Sequence, residues 1–320
     1  MRAIILRPGL LRSGATLAAL LILTGLLYAT GLGAGWIGER LAALSGAGEG
    51  ASAPRLLAAA LIAAALVANG LAIARLPRPA QVVAIWAELA TLLLLFFYSF
   101  DLSFEFIARK IGFLVTQGVT MTLLISAASI VIATAIALVG ALAKLSRSGV
   151  AYGLATFYTS LFRGLPLLMQ IYIIYLGLPQ LGYVVGPVTA GIAALSLCYG
   201  AYMTEIFRAG IQSIAHGQSE AATALGLSPT QTLWLVVMPQ AMRVIIPPTG
   251  NQFIAMLKDS SLVSVVGVWE LMYLARTQGQ TEFRHTEMLI TASLIYWVLS
   301  MGLEWAQSRL ERRFARSTRR

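Results

Sequence analysis

Long apolar runs separated by short polar connections set the pattern of this chain. Eight of them are long enough to draw as membrane helices, three early at about 15–34, 56–74 and 80–100, and five later at about 114–140, 156–177, 187–206, 242–273 and 287–306. A helix crossing a bilayer needs about 20 apolar residues. The run at 242–273 is too long for one simple span at about 1.5 Å per residue. It also holds Lys258-Asp259-Ser260-Ser261, which predicts a break or turn within the membrane. The fold class that follows is all-α: a polytopic transmembrane helical bundle of about eight spans. One stretch departs from the pattern. Residues 207–241 form a polar, proline-punctuated connection far longer than a membrane protein ordinarily keeps between spans.

Composition agrees with the pattern. Of 320 residues, 58% are hydrophobic and 11% charged, against about 25% charged in a soluble globular chain. Mean hydropathy is +0.79. The single cysteine, Cys198, excludes an intrachain disulfide and reads as a small packing residue. The formal net charge of +10 is scattered over short loops and the C-terminal tail, a distribution that reports orientation rather than a nucleic-acid partner. With the N-terminus in the cytoplasm and spans alternating, only Arg40, Arg55, Arg109, Lys110, Arg276 and Arg284 fall outside, and Lys258 lies within a segment. All other basic residues then collect inside, so the 207–241 loop and the tail are expected to be cytoplasmic.

The first run is also compatible with a secretory signal, because arginines precede it and small residues close it near Gly33-Ala34-Gly35. Cleavage would leave the later orientation unchanged. Residues 35–55 read as a flexible outer loop. A division near residue 110 separates three apolar helices (1–110) from the part that carries motifs (111–312), followed by a basic tail (313–320).

Within the loop, Gln218 to Leu225 is an alanine-rich helix with Glu220 near its start, where negative charge suits the helix dipole. Gly226 is expected to stop it. Ser228-Pro229-Thr230-Gln231 predicts a new start, with Ser228 as N-cap, Pro229 in first position and Gln231 completing a capping box. Pro239 is expected to interrupt this second helix, and Pro247-Pro248 to bend the approach to the next span. The small residues Ala221, Ala222 and Gly226 offer close approach to another protein, with Trp234 as an anchor. A helix resting on lipid headgroups is the alternative, but it ordinarily carries Lys or Arg, and 209–242 has neither.

These residues resemble a known family. Glu220-Ala221-Ala222, Gly226 and Val236-Val237-Met238-Pro239 are similar to the EAA loop of ABC-importer permeases, with Val236 and Met238 as conservative departures. More narrowly, Gly118–Leu123, Phe162-Arg163-Gly164-Leu165-Pro166-Leu167, Gly200–Arg208, Pro239–Arg243 and Leu257–Leu262 resemble the polar amino-acid permeases of the histidine/glutamine type over about 112–312. The resemblance implies a five-span core with an outer N-terminus and an inner C-terminus, in a bacterial inner membrane. It also implies a separate ATP-binding-cassette ATPase, carrying ATP and Mg, docked on Glu220, Ala221, Ala222, Gly226 and Pro239. A second permease copy, identical or sister, and a periplasmic amino-acid-binding protein complete the implied assembly. The three early helices lie outside it and read as a structural or lipid-facing layer.

The chain holds no G-x-x-x-x-G-K-[ST] of its own and only two histidines, expected on opposite sides, so neither catalysis, a bound cofactor nor a metal site is expected. Ionisable residues within spans are the candidates for the substrate pathway. Lys258 and Asp259 interrupt an apolar helix; they suit either a zwitterionic substrate or a buried ion pair that fixes the break. Glu205 and Arg208 sit three residues apart on one helix face, as a pair anchoring the helix end or as a gate or substrate contact. An ion-driven transporter would need repeated halves, and a membrane enzyme a cluster of His, Asp or Glu; the sequence shows neither.

Overall fold

The computed structural model describes residues 14–31, 39–40, 43–44, 52–98, 100 and 102–316, apart from the side chains of 14, 15 and 313–316. Residues 33–35, most of the 35–55 loop and the last four tail residues therefore lie outside the described residues. The regular structure described is helical throughout. It divides into two compact units, 1–101 and 102–320. The boundary thus falls about nine residues before the one expected from motifs, because the first helix of the second unit begins at Phe104 and runs unbroken to Leu145.

The first unit contains α1 (Gly14–Ala29), α2 (Ser52–Ala74) and α3 (Arg78–Tyr98). α1 lies against α2, and Ala58, Ala59 and Ala63 of α2 are fully buried. Asn69 Nδ2 of α2 donates to Glu88 Oε1 of α3 at 2.8 Å, so Glu88 has the neighbouring partner expected of an intramembrane carboxylate.

The second unit contains α4 (Phe104–Leu145), α5 (Gly149–Gly164), α6 (Leu167–Leu181), α7 (Pro187–Gln212), α8 (His216–Ala224), α9 (229–259), α10 (Leu271–Thr281) and α11 (His285–Arg316). Its core is the α4–α7 pair. Ile125, Ala133, Ala137 and Ala141 of α4 and Ala194, Leu195, Cys198 and Met203 of α7 belong to one buried cluster. Small residues permit this close approach, as is common where membrane helices pack without a hydrophobic drive. A Cβ placed on Gly140 would stand 2.6 Å from Thr204 Oγ1, so with threonine opposite, position 140 has no room for a side chain.

Among the described residues, five helices are long and apolar enough to cross a membrane, and six if one bent pair is a single span. The expected count of eight is not met among these residues, for three local reasons. α1 is shorter than the run that predicted it. The expected span 156–177 is a corner: α5 and α6 meet at 105°. Leu165 is extended, as a residue before proline prefers, and Gln170 Nε2 donates to both Phe162 O and Leu165 O at 2.9 Å, bracing the bend. The run 242–273 divides, as its polar tetrad predicts: α9 ends at Asp259, a 3₁₀ stretch covers Ser260–Val266, and Gly267 turns with φ +82°.

The expected interruption at Pro239 is absent. Residues 229–259 form one continuous helix, with a π-helical turn at Thr232–Val237 just before the proline. The wider turn relieves the conflict between the proline ring and the carbonyl one turn back. Gln240 Nε2 donates to Val236 O at 2.9 Å on that same turn. Pro247 and Pro248 also lie within the helix.

Candidate functional site

Two regions carry polar chemistry in the second unit: the turn between α8 and α9, and a set of side chains along one face of α7.

The turn is built by backbone geometry. Gly226 has φ +81°, which L-residues other than glycine adopt at a cost of about 1–2 kcal/mol. Its N–H donates to Thr223 O at 2.9 Å and that of Leu227 to Ala222 O at 3.1 Å, the paired bonds of a Schellman stop. Ser228 then starts α9 with both halves of a capping box present: Gln231 N donates to Ser228 Oγ at 3.3 Å, and Ser228 N to Gln231 Oε1 at 2.9 Å. Gln240 Nε2 also reaches Gln218 Oε1 at 3.1 Å, tying α8 to α9. The outward surface differs in one residue from expectation. Glu220, Ala221 and Gly226 are exposed, but Ala222 is buried and packs α8 inward. The apolar projection at the tip is Leu225, 82% exposed, which composition alone did not single out. Trp234 is half-exposed and lines an open groove of about 1170 Å³ between α8, α9 and the ends of α4 and α7.

On α7, Tyr199 donates its hydroxyl to Asp259 Oδ2 at 2.7 Å. Asp259 and Tyr199 line a cavity of about 440 Å³ together with Cys198, Tyr202, Gln252 and the corner residues Arg163 to Leu167. The guanidinium of Arg163 lies 5.3 Å from the centroid of the Tyr202 ring, within cation–π range. A cation and a carboxylate therefore share one cavity of a size that holds a small molecule. Lys258 does not join it. It is exposed, and no carboxylate among the described residues pairs with it, so the ion pair weighed for Lys258 and Asp259 does not form. Adjacent residues on a helix point about 100° apart, which separates the two.

Two turns along α7, Glu205 pairs with Arg208, Nε to Oε2 at 2.9 Å, as the i,i+3 spacing predicts. Its other oxygen accepts from Lys144 at the end of α4, a partner 61 positions away that spacing did not reveal. Arg208 Nη1 continues the chain to Gln212 Oε1 at 2.6 Å.

A further carboxylate, near the outer end of the 242–273 run in the sequence, takes a structural place. Glu270 is fully buried. It accepts from Met272 N at 2.8 Å, Tyr273 N at 2.7 Å and the Tyr296 hydroxyl at 2.7 Å, so it caps α10 and binds it to α11. Leu271 N donates to Thr122 Oγ1 of α4 at 3.2 Å, adding α4 to the same pair of helices. The sequence signal was present, a carboxylate immediately before a helix start, but burial was not legible from it.

Residues 136–316 match the family described as "Binding-protein-dependent transport system inner membrane component". The chain is 38% identical over 214 residues to the "Arginine transport system permease protein ArtQ" of Bacillus subtilis (strain 168), covering 67% of this chain and 97% of that protein. It is 36% identical over 204 residues to the "L-cystine transport system permease protein TcyB" of the same organism, covering 63% and 87%. Among solved structures, an amino acid ABC transporter crystallised with histidines superposes with a TM-score of 0.63 at 35% identity, covering 67% of this chain and 99% of the other. A methionine ABC transporter in an inward-facing conformation shares the fold, with a TM-score of 0.55 at 22% identity over 63% of this chain and 96% of the other. The family match extends over more than half the chain and includes α7, the α8–α9 turn and Asp259. The chain is thus a multi-pass inner-membrane protein that belongs to the permease subunits of binding-protein-dependent ABC transport systems.

Proposed function

We propose that this permease carries an amino acid into the cell, and that the cavity at Asp259 receives it. The observation that carries the reading is the meeting of Arg163, Tyr199 and Asp259 around one 440 Å³ space. An α-amino acid presents a carboxylate and an ammonium a few ångströms apart. Arg163 suits the first as a planar, permanently charged donor, and Asp259 the second. Tyr199 holds Asp259 in place by its hydroxyl. The relatives named for arginine and cystine transport support the substrate class, and leave the particular amino acid to the pocket and to the delivering protein.

In this reading the α8–α9 turn lies in the cytoplasm and docks on a separate ATPase that supplies ATP and Mg. Glu220, Ala221 and Gly226 form the surface of contact and Leu225 the apolar projection into the partner. Pro239, exposed on α9 just after the π-helical turn, belongs to the same contact region. The lack of Lys and Arg from 209 to 242 supports protein rather than lipid headgroups as the partner. Both termini face the cytoplasm, following the excess of basic residues there. A second permease copy, identical or sister, completes a two-fold pathway, and a periplasmic binding protein delivers the substrate. Lys258, exposed on α9 one residue from Asp259, faces that pathway or the second copy.

The test is uptake by the assembled transporter in membrane vesicles. Asp259→Asn and Arg163→Gln should each lower uptake at least tenfold while the ATPase subunit still co-purifies. Normal uptake in both variants overturns the assignment of the cavity.

A further inference from the structure

We infer that the cavity at Lys144, Glu205 and Arg208 is a second zwitterion site, the last station from which the amino acid leaves for the cytoplasm. The inference rests on the reading of the Asp259 cavity as the substrate site.

Four observations carry it. The first is alignment. Cys198, Tyr202, Glu205, Arg208 and Gln212 follow one another at spacings of three and four on α7, so they share a helix face. The first two of these line the Asp259 cavity, and the last three line a separate cavity of about 350 Å³ with Lys144 and Tyr152. From Tyr199 to Arg208 the helix rises roughly 14 Å, so one polar stripe leads from the first cavity to the second.

The second is the charge count. Two cations surround one carboxylate. Lys144 and the guanidinium of Arg208 together bring about eight N–H donors. Among the described residues, the hydrogen bonds they make are one from Lys144 to Glu205, one from Arg208 to Glu205 and one from Arg208 to Gln212. Donors remain for an oxyanion, and each oxygen of Glu205 keeps an acceptor site for an ammonium.

The third is partial burial. The side chains of Lys144, Glu205 and Arg208 are 10%, 23% and 34% exposed, so charges here are less screened than on an open surface and stay reachable. The fourth is location. Lys144 ends α4, Tyr152 begins α5, and α7 runs on from Gln212 toward α8. The site thus lies at the end of α7 that leads into α8 and the α8–α9 turn. An ion pair serving only to fasten α4 to α7 would need no third charge and no adjoining cavity, and the helices are already held by their buried small-residue contact.

The ligand chemistry, an oxyanion and an ammonium a few ångströms apart, belongs to an amino acid and also to a phosphatidylethanolamine headgroup. The site is assigned to the amino acid, and lipid composition separates the two sources. The complete transporter, permease with its ATPase, is placed in nanodiscs of phosphatidylcholine and phosphatidylglycerol. Equilibrium binding of a mixture of the twenty ¹⁴C-labelled L-amino acids is then measured without a binding protein. Wild type should hold two labelled molecules per permease chain. Asp259→Asn should hold one, Glu205→Gln should hold one, and the double variant none.

One or no molecule on wild type overturns the second site, as does an unchanged count in Glu205→Gln. If Asp259→Asn loses one and Glu205→Gln loses none, the first site stands and the second falls; the converse result removes the first site alone. Should Glu205→Gln fail to assemble, Arg208→Gln takes its place, since it leaves the pair between Lys144 and Glu205. Failure of both to assemble makes the cluster structural and overturns the proposal. Loss of one labelled molecule when phosphatidylethanolamine is added assigns the cavity to the lipid headgroup, and overturns it as well.

Discussion

Tyr199 and Asp259 come from helices 60 positions apart in sequence, and the tyrosine hydroxyl donates to the carboxylate at 2.7 Å. The bond fixes the one acidic group that lines the 440 Å³ cavity among the described residues, at the point where α9 ends and the 3₁₀ stretch begins. Tyr199→Phe removes the donor and keeps the ring. A hydrogen bond to a charged group contributes about 1.5–3 kcal/mol, so uptake should fall roughly 10- to 100-fold. Insertion and ATPase assembly should be unchanged. Uptake in vesicles, set beside co-purification of the ATPase, is the measurement; a Tyr199→Phe protein with full uptake would show that Asp259 needs no positioning.

Gly226 makes a different prediction, because its demand is conformational. Nothing stands within 4 Å of a Cβ built there, while φ is +81°. The obstacle to substitution within this chain is therefore backbone strain rather than space. Gly226→Asn, which tolerates the left-handed region, should keep the turn and retain most of the ATPase. Gly226→Val should lose the turn, and Gly226→Asp should add a charge at the proposed docking surface; both should release the ATPase on affinity purification. Equal retention by all three would remove this turn as the main grip.

At Gly140 the demand is the reverse, since a Cβ there meets Thr204 Oγ1 at 2.6 Å. Gly140→Val must push α4 away from α7, and overpacking of this kind typically costs about 1–3 kcal/mol. The purified protein should unfold at lower temperature in detergent. Reducing the opposing residue as well, in Gly140→Ala with Thr204→Ala, should recover most of the loss. A thermal melt that does not shift for Gly140→Val would mean the two helices do not meet as closely as described.

Glu270 tests a buried cap. Glu270→Ala leaves Met272 N, Tyr273 N and the Tyr296 hydroxyl without their acceptor. Each buried group left unsatisfied costs about 1–3 kcal/mol, so the Ala variant should be strongly destabilised. Glu270→Gln keeps one acceptor oxygen and should fall between the two. The order wild type, Gln, Ala in thermal stability is the expected result, and equal stability of Gln and Ala would exclude hydrogen bonding as the cause.

Local signals were legible wherever one short segment determines its own structure. The stop at Gly226, the capping box of Ser228 and Gln231, the pair of Glu205 with Arg208 and the break after Asp259 each depend on residues within about five positions, and each stands where the pattern placed it. Pro239 was misread because its own chemistry argues for a break, whereas the π-helical turn before it absorbs the ring. Ala222 was misread because a small residue on a short helix has no mark for which side meets the protein.

By itself, the sequence determined that this is a membrane protein, where most of its helical stretches lie and where the polar turn lies. Those properties follow from transfer of apolar residues out of water and from backbone hydrogen bonding along the chain, both set by near neighbours. Tertiary structure alone decided that Lys144 meets Glu205, that Asp259 takes Tyr199 rather than Lys258, and that Arg163 reaches the same cavity as Asp259. The 105° corner of α5 and α6 and the close contact of Gly140 with Thr204 belong to the same class. Such pairings depend on how helices far apart in the chain pack and rotate, and no hydrophobic period records that. In a bilayer the apolar pattern shows which residues leave water, while steric fit and buried hydrogen bonds select the partners.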